Sequence, residues 1–546
     1  MAGHGRKRRV TAVAAVVLMA ALAVGAQDGG GGNGGGGTVT QQYANGGLFE
    51  GTMRDGKPHG EGRYTLPGGY VYEGEWVEGE RTGQGRATFV DGATYEGGFL
   101  RGEPHGRGQI SLLDGSVIIG DWVEGALTGT ATATYADGSV YQGQFADNQR
   151  HGTGTWTRPD GYVYEGGWQA GLRHGEAEIT YPDGSRYVGE MRGDRRNGTG
   201  QLTVPDGFAY DGAWLDDQMS GFGRVSYVNG DVYEGVLVQG QRQGNGKMTY
   251  ANSDVFEGAF ENDQRNGVGT FRGTDGYLFV GDWVDGQHHG EGRLVYPDGS
   301  IYEGTFAENL PHGEGRITYP SGDSYTGEWV AGVIDGQGIS RRANGLVYEG
   351  GFAGGRQHGQ GVLTAPDGYR YEGGWDTGLR SGTGRAVYGD GTTYEGGFRN
   401  DLFHGTGTMT TPDGMTYVGD WLDGEITGTG RATYATGDVY EGGFVAGRRE
   451  GIGTLTYSGG EVLSGEWRNG VLVEPAATGG TAGPGDGDTT DAPAAADLPD
   501  TPAAPDAQPE APDAPAAQPE GTDAPGADDA PEAATETGSE TQADPE

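Results

Sequence analysis

A metre of 23 residues constrains this chain more than any other feature. A triplet of the Tyr-Glu-Gly type opens at Phe49, Tyr72, Tyr95, Ile118, Tyr141, Tyr164, Tyr187, Tyr210, Tyr233 and Phe256. It continues at Phe279, Tyr302, Tyr325, Tyr348, Tyr371, Tyr394, Tyr417, Tyr440 and Leu463. Nineteen registers run without an insertion or deletion. Functional loops tolerate insertions, so a loop-rich enzyme would not keep such spacing. A fixed period of this size marks a stacked array in which each unit completes its neighbour's core.

The first residue of the triplet is taken as position 0. Position 2 is Gly in all 19 registers, position 11 is Gly in all 18 complete units, and position 13 is Gly in 16. Position 7 is always Gly, Asn or Asp, the residues that tolerate positive φ. Position 20 is Gly in 17 units, as in Pro182-Asp183-Gly184. These marks predict a short strand over positions 0–5, a turn over 6–9, a second strand over 11–17 and a turn at Asp-Gly. Alternation puts positions 0, 2 and 4 on one face. If position 4 pairs with 11 and position 17 with the next position 0, each position-4 ring lies between two glycines on neighbouring strands. Glycine at 11 and 13 then leaves room for the ring to lie flat and recover lost packing.

Position 4 is aromatic in 16 registers; the exceptions are Met53, Met191 and Leu237. Its larger and smaller rings alternate, as in Trp76, Phe99, Trp122, Phe145 and Trp168. Nine of the ten tryptophans sit there: Trp76, Trp122, Trp168, Trp214, Trp283, Trp329, Trp375, Trp421 and Trp467. They form the candidate binding face, because a single-layer sheet is expected to leave some rings open to stack on sugars or extended peptides. The competing reading is that they are the packing layer of the sheet itself.

Other chemistry is sparse. There is no Cys, hence no disulfide and no thiol nucleophile. Eight of ten histidines fall at position 10: His59, His105, His151, His174, His289, His312, His358 and His404. One repeat spans two strand spacings, about 9.6 Å, too far for easy shared metal ligation. Position 1 is often Glu, as at Glu73, Glu96, Glu165, Glu303, Glu349 and Glu372. A column repeated this often reads as a solvated face rather than a catalytic pair. Neither a phosphate loop nor a Gly-x-Ser-x-Gly elbow occurs. No catalytic, cofactor-binding or metal residue is therefore expected.

A unit such as Tyr302-Glu303-Gly304-Thr305-Phe306, Asn309, His312-Gly313-Glu314-Gly315, Tyr319 and Gly322 resembles the MORN repeat, the membrane occupation and recognition nexus. The resemblance covers roughly residues 43–470. It implies an all-β, elongated single-layer sheet of about 18–19 tandem β-hairpins. It also implies a scaffold, a protein-binding platform or a membrane-proximal tether, and several such arrays self-associate. Lipid binding in the family would use basic residues, and here the array is acidic.

The segments outside the array complete the expected organisation. Arg6, Lys7, Arg8 and Arg9, the apolar run Val10 to Val24 and the small residues of Val24-Gly25-Ala26 read as a signal peptide over 1–26. Residues 27–42 read as a Gly-rich linker, 43–473 as the array and 474–546 as a disordered acidic Pro/Ala-rich tail. The formal charge of −42 opposes nucleic acid and anionic lipid as partners. The expected function is a non-enzymatic exported scaffold for protein binding or self-association at the cell envelope, periplasmic or extracellular. The alternatives are a carbohydrate or peptidoglycan binder using the aromatic ladder, and a membrane-proximal tether held by an uncleaved N-terminal segment.

Overall fold

The computed structural model describes residues 37–475. The expected signal, most of the linker and the tail beyond 475 lie outside the described residues. The described residues form 39 strands, each antiparallel to its partners, and no helix. They divide into two compact units. One runs to Ala251 and includes Glu261–Asp263; the other starts at Asn252 and holds the later repeats. In each unit, strand follows strand in chain order as a single layer. A short strand, Val39–Gln42, pairs with Leu48–Arg54, so pairing begins inside the stretch expected as linker.

Each repeat is a hairpin of a seven-residue and a nine-residue strand, for example Val71–Val77 with Glu80–Thr88. Positions 6 and 7 alone make the first turn, so the second strand starts at position 8 rather than 11. Both turn residues are left-handed, as at Glu308 (φ 51°) and Asn309 (φ 70°). Such two-residue turns match the twist of the strands they join. The second turn spans three residues. In the loop after Thr65, Gly69 N–H donates to Leu66 O at 3.0 Å and Leu66 N–H donates to Tyr70 O at 2.9 Å. Gly69 there takes φ 96°.

The register differs from the expected one. Gly74 does oppose Gly85, as position 2 was expected to oppose 13, but Trp76 opposes Arg81, so position 4 pairs with 9. Across the other turn, Gly60 opposes Trp76, Gly62 opposes Gly74 and Tyr64 opposes Tyr72. The cause is a β-bulge at position 3 that sets two extra residues, positions 11 and 12, on the long strand. Position 11 bends the strand in the left-handed region, with φ 71° at Gly83 and 75° at Gly382. Its glycine answers to backbone geometry, not to ring space. Because the insertion is even, positions 9, 13 and 15 still share the face of positions 0, 2 and 4.

Candidate functional site

The ring-lined face is built from the position-0 tyrosine upward. That ring, not the position-4 ring, lies flat on the position-13 glycine. A β-carbon built on Gly85 would stand 2.6–2.8 Å from three atoms of Tyr72. The bulge leaves the position-3 carbonyl turned toward the same ring. Tyr72 Oη donates to Glu75 O at 3.0 Å, Tyr210 Oη to Ala213 O at 2.6 Å and Tyr371 Oη to Gly374 O at 2.9 Å. A buried phenol needs such a partner. Burial holds the phenols protonated: those of Tyr141, Tyr210 and Tyr440 are pushed up to about 12.

The position-4 ring stands edge-on between two position-0 rings. Trp76 meets Phe49 at 5.3 Å and 80°, and Tyr72 at 5.5 Å and 86°. Trp375 meets Tyr348 at 5.1 Å and Tyr371 at 5.3 Å in the same way. Edge-to-face pairs add about 0.5–1.5 kcal/mol each beyond area burial. Six of the nine indoles also donate to the preceding position-13 carbonyl, as from Trp214 to Gly200 at 3.0 Å and from Trp467 to Gly453 at 3.1 Å.

A third row closes the face, and the sequence reading missed it. Position 9 projects over the rings. Six of its eight arginines, Arg173, Arg196, Arg242, Arg265, Arg380 and Arg449, are buried, and Arg81 and Arg150 are half-buried. The Arg196 guanidinium lies 4.3 Å from the Trp214 ring centre and that of Arg449 lies 4.2 Å from Trp467. Phe403 and His288 take the same place, stacked on Tyr394 at 3.7 Å and on Phe279 at 3.5 Å. The guanidinium is anchored on the next repeat's first turn. Arg196 Nε and N–H both donate to Asp217 Oδ1, at 3.3 and 2.8 Å, and its Nη2 donates to Asp217 O. Arg173–Asp194, Arg242–Asp263 and Arg380–Asp401 repeat the arrangement. A signal existed: every Asp at position 7 follows an Arg at position 9 of the preceding repeat.

These three rows seal the nine expected tryptophans. None of Trp76, Trp122, Trp168, Trp214, Trp283, Trp329, Trp375, Trp421 and Trp467 is more than 3% exposed. A single layer hides them because glycines let the rings lie down on the backbone and position 9 covers them from the solvent side. The expected partly open aromatic face is thus a closed packing layer.

The opposite face carries the exposed chemistry. Position 1 opposes position 14 on both sides, and several of the facing Glu and Arg side chains pair at the surface, as Arg63–Glu73 at 3.2 Å and Arg293–Glu303 at 3.3 Å. Such exposed pairs contribute little to stability. Apolar side chains at position 12 also stand in solvent: Phe222 is 70% exposed, Val268 68% and Ile452 76%. The position-10 histidines lie beside the next repeat's first turn, where His312 Nδ1 accepts from Ala331 N–H at 3.4 Å and His358 lies 3.5 Å from Asp376. Among the described residues no group of three His, Asp or Glu is placed to hold a metal ion.

The fold defines a tandem β-hairpin repeat protein. The MORN repeat matches eighteen segments, from 49–69 through 440–462, and the chain belongs to that family. No curated relative matches. Among solved structures the chain is similar to the TCP domain of Drosophila melanogaster SAS-4 in complex with a proline-rich motif of Ana2, at 16% identity and a TM-score of 0.17, over 36% of this chain and 88% of that one. It is similar also to the TCP10 domain of Danio rerio CPAP in complex with a STIL peptide, at 14% identity and a TM-score of 0.13, over 52% of this chain and 96% of that one. A third is an inactive virginiamycin B lyase from Staphylococcus aureus, at 14% identity and a TM-score of 0.10, over 54% and 96%.

Proposed function

We propose that this chain is a non-catalytic scaffold that binds proteins through the exposed face of its sheet. One observation carries the reading: the ring-lined face is spent on internal packing, while the other presents acidic rows and exposed apolar side chains such as Phe222 and Ile452. Isolated exposed apolar groups are ordinary, but on this face they are joined by a column of exposed aliphatics at position 5, such as Val77, Leu100, Val123 and Leu215, which suits docking. The net charge of −42 favours basic protein surfaces over nucleic acid or anionic lipid. Stacking of a glycan on the tryptophans would require uncovering buried indoles. Export to the cell envelope is part of the proposal and rests on the basic and apolar pattern of residues 6–26.

The test is capture of the C-terminally tagged chain from the envelope fraction of its own cells after carbodiimide cross-linking. The expected result is a stoichiometric protein, or a second copy of the chain, linked through position-1 or position-3 carboxylates. Recovery of the chain alone, or with wall fragments only, contradicts the reading.

A further inference from the structure

The charge lattice of the exposed face breaks at one place in the second unit. Across successive strands the row runs Arg316, Thr326, Ile339, Glu349, Val362, Glu372, Arg385 and Glu395. Ile339 and Val362 are the two branched aliphatics in a position-14 column otherwise filled by Arg, Lys, Gln, Glu and Thr. Glu349 therefore stands between two aliphatic side chains and makes no ion pair with any described residue, whereas Glu372 is met by Arg370 at 2.8 Å. The position-3 column loses its side chains here as well, at Gly351 and Gly374.

The consequence is a depression of about 510 Å³, floored by Gly338, Gly350, Gly361 and Gly373 and walled by Ile339, Val362 and the amides of Gln337 and Gln360. That volume falls within the range of small-ligand clefts. It crosses four strands, roughly 14 Å, enough for about four extended residues. Aliphatic walls beside one uncompensated carboxylate select a long cationic side chain, whose stem packs while its head meets the charge. Arginine fits best, since its fork pairs with a carboxylate through two parallel bonds. The acidic tail cannot supply it, for residues 474–546 contain no Lys or Arg.

Resting on the scaffold reading, we propose that this depression docks an extended, arginine-bearing and otherwise aliphatic segment of a partner protein. Arginine reaches Glu349, and the flanking aliphatic residues cover Ile339 and Val362.

The test is titration of the full chain with a fluorescein-labelled Ser-Val-Arg-Val-Ser-Gly peptide and its citrulline counterpart. The expected result is saturable binding that weakens with salt, and about tenfold or greater preference for arginine over citrulline, as for a charge-assisted pair. Ile339→Arg with Val362→Arg restores the lattice of other repeats, keeps the thermal melt and abolishes binding. Glu349→Gln, which leaves the cleft open, lowers affinity about tenfold, while Glu395→Gln, opposite Arg385, changes nothing. Equal binding by wild type and the double arginine variant overturns the proposal, as does absence of saturation to about 5 mM. If the peptide fails while cross-linked capture still yields a partner on the array, the depression alone is misassigned; if capture fails too, so does the scaffold reading.

Discussion

Tyr371 lies on Gly384. A β-carbon at Gly384 would stand 2.5–2.7 Å from Oη, Cε2 and Cζ of a ring that is fully buried and tied to Gly374 O. Nothing in the Gly384 backbone demands glycine, so the ring does. Gly384→Ala should destabilise by about 1–3 kcal/mol through overpacking. Gly459→Ala, where a β-carbon meets nothing within 4 Å, should be neutral or mildly stabilising. Urea unfolding of the two variants checks the opposite signs.

The ring ladder predicts a local penalty for losing one indole. Trp214→Ala should cost about 3–5 kcal/mol, because Trp214 fills space among Tyr187, Tyr210 and Arg196. In an array of neighbour contacts the loss stays near that repeat. Hydrogen exchange should rise across residues 187–235 and remain unchanged beyond residue 325. A uniform rise along the chain would contradict this.

Arg196 and Asp217 act as a pair in which the acid is replaceable and the cation is not. Asp217→Gly keeps the carbonyl that Arg196 Nη2 uses, and glycine is the residue at position 7 in most repeats. It should cost less than about 1 kcal/mol. Asp217→Ala should cost more, since φ there is 72°. Arg196→Ala uncovers Trp214 and should cost about 2–4 kcal/mol. Thermal unfolding of the three variants gives the order.

Thr377 sits at φ 49° in a two-residue turn, a poor place for a β-branched residue. Thr377→Asn should raise stability by about 0.5–1 kcal/mol, measured as a higher urea midpoint with unchanged slope.

Alkaline pH should unfold the array steeply. An unfolded tyrosine ionises near the ordinary value of 10, whereas burial holds Tyr141, Tyr210 and Tyr440 at about 12 and Tyr72, Tyr371 and their counterparts higher. Above pH 10 the unfolded chain binds fewer protons than the folded one, so stability falls as pH rises toward 12. Tyrosine absorbance at 295 nm should change together with loss of the sheet signal, and not ahead of it.

The period, the hairpins and the apposition of positions 2 and 13 were legible because glycine and aromatic marks recur in every unit. The bulge was not, since glycine at position 11 carries the same letter whether it clears space for a ring or bends a strand. That ambiguity misplaced Trp76 against position 11 of its own repeat, when it opposes Arg81 there and Gly60 of the preceding strand. It also left the cover over the rings unseen, although Arg196 and Asp217 already covaried along the chain. The depression at Ile339 and Val362 was visible only as two departures in one column, and departures acquire meaning once the register places Glu349 between them.

Acrylamide quenching of the native chain tests most directly whether the tryptophan face is closed. Nine of the ten tryptophans belong to the ring layer. The account predicts native quenching several-fold weaker than in the unfolded chain, and emission unmoved by soluble cell-wall glycan. Native quenching equal to the unfolded value, or a saturable emission shift with glycan, would contradict it.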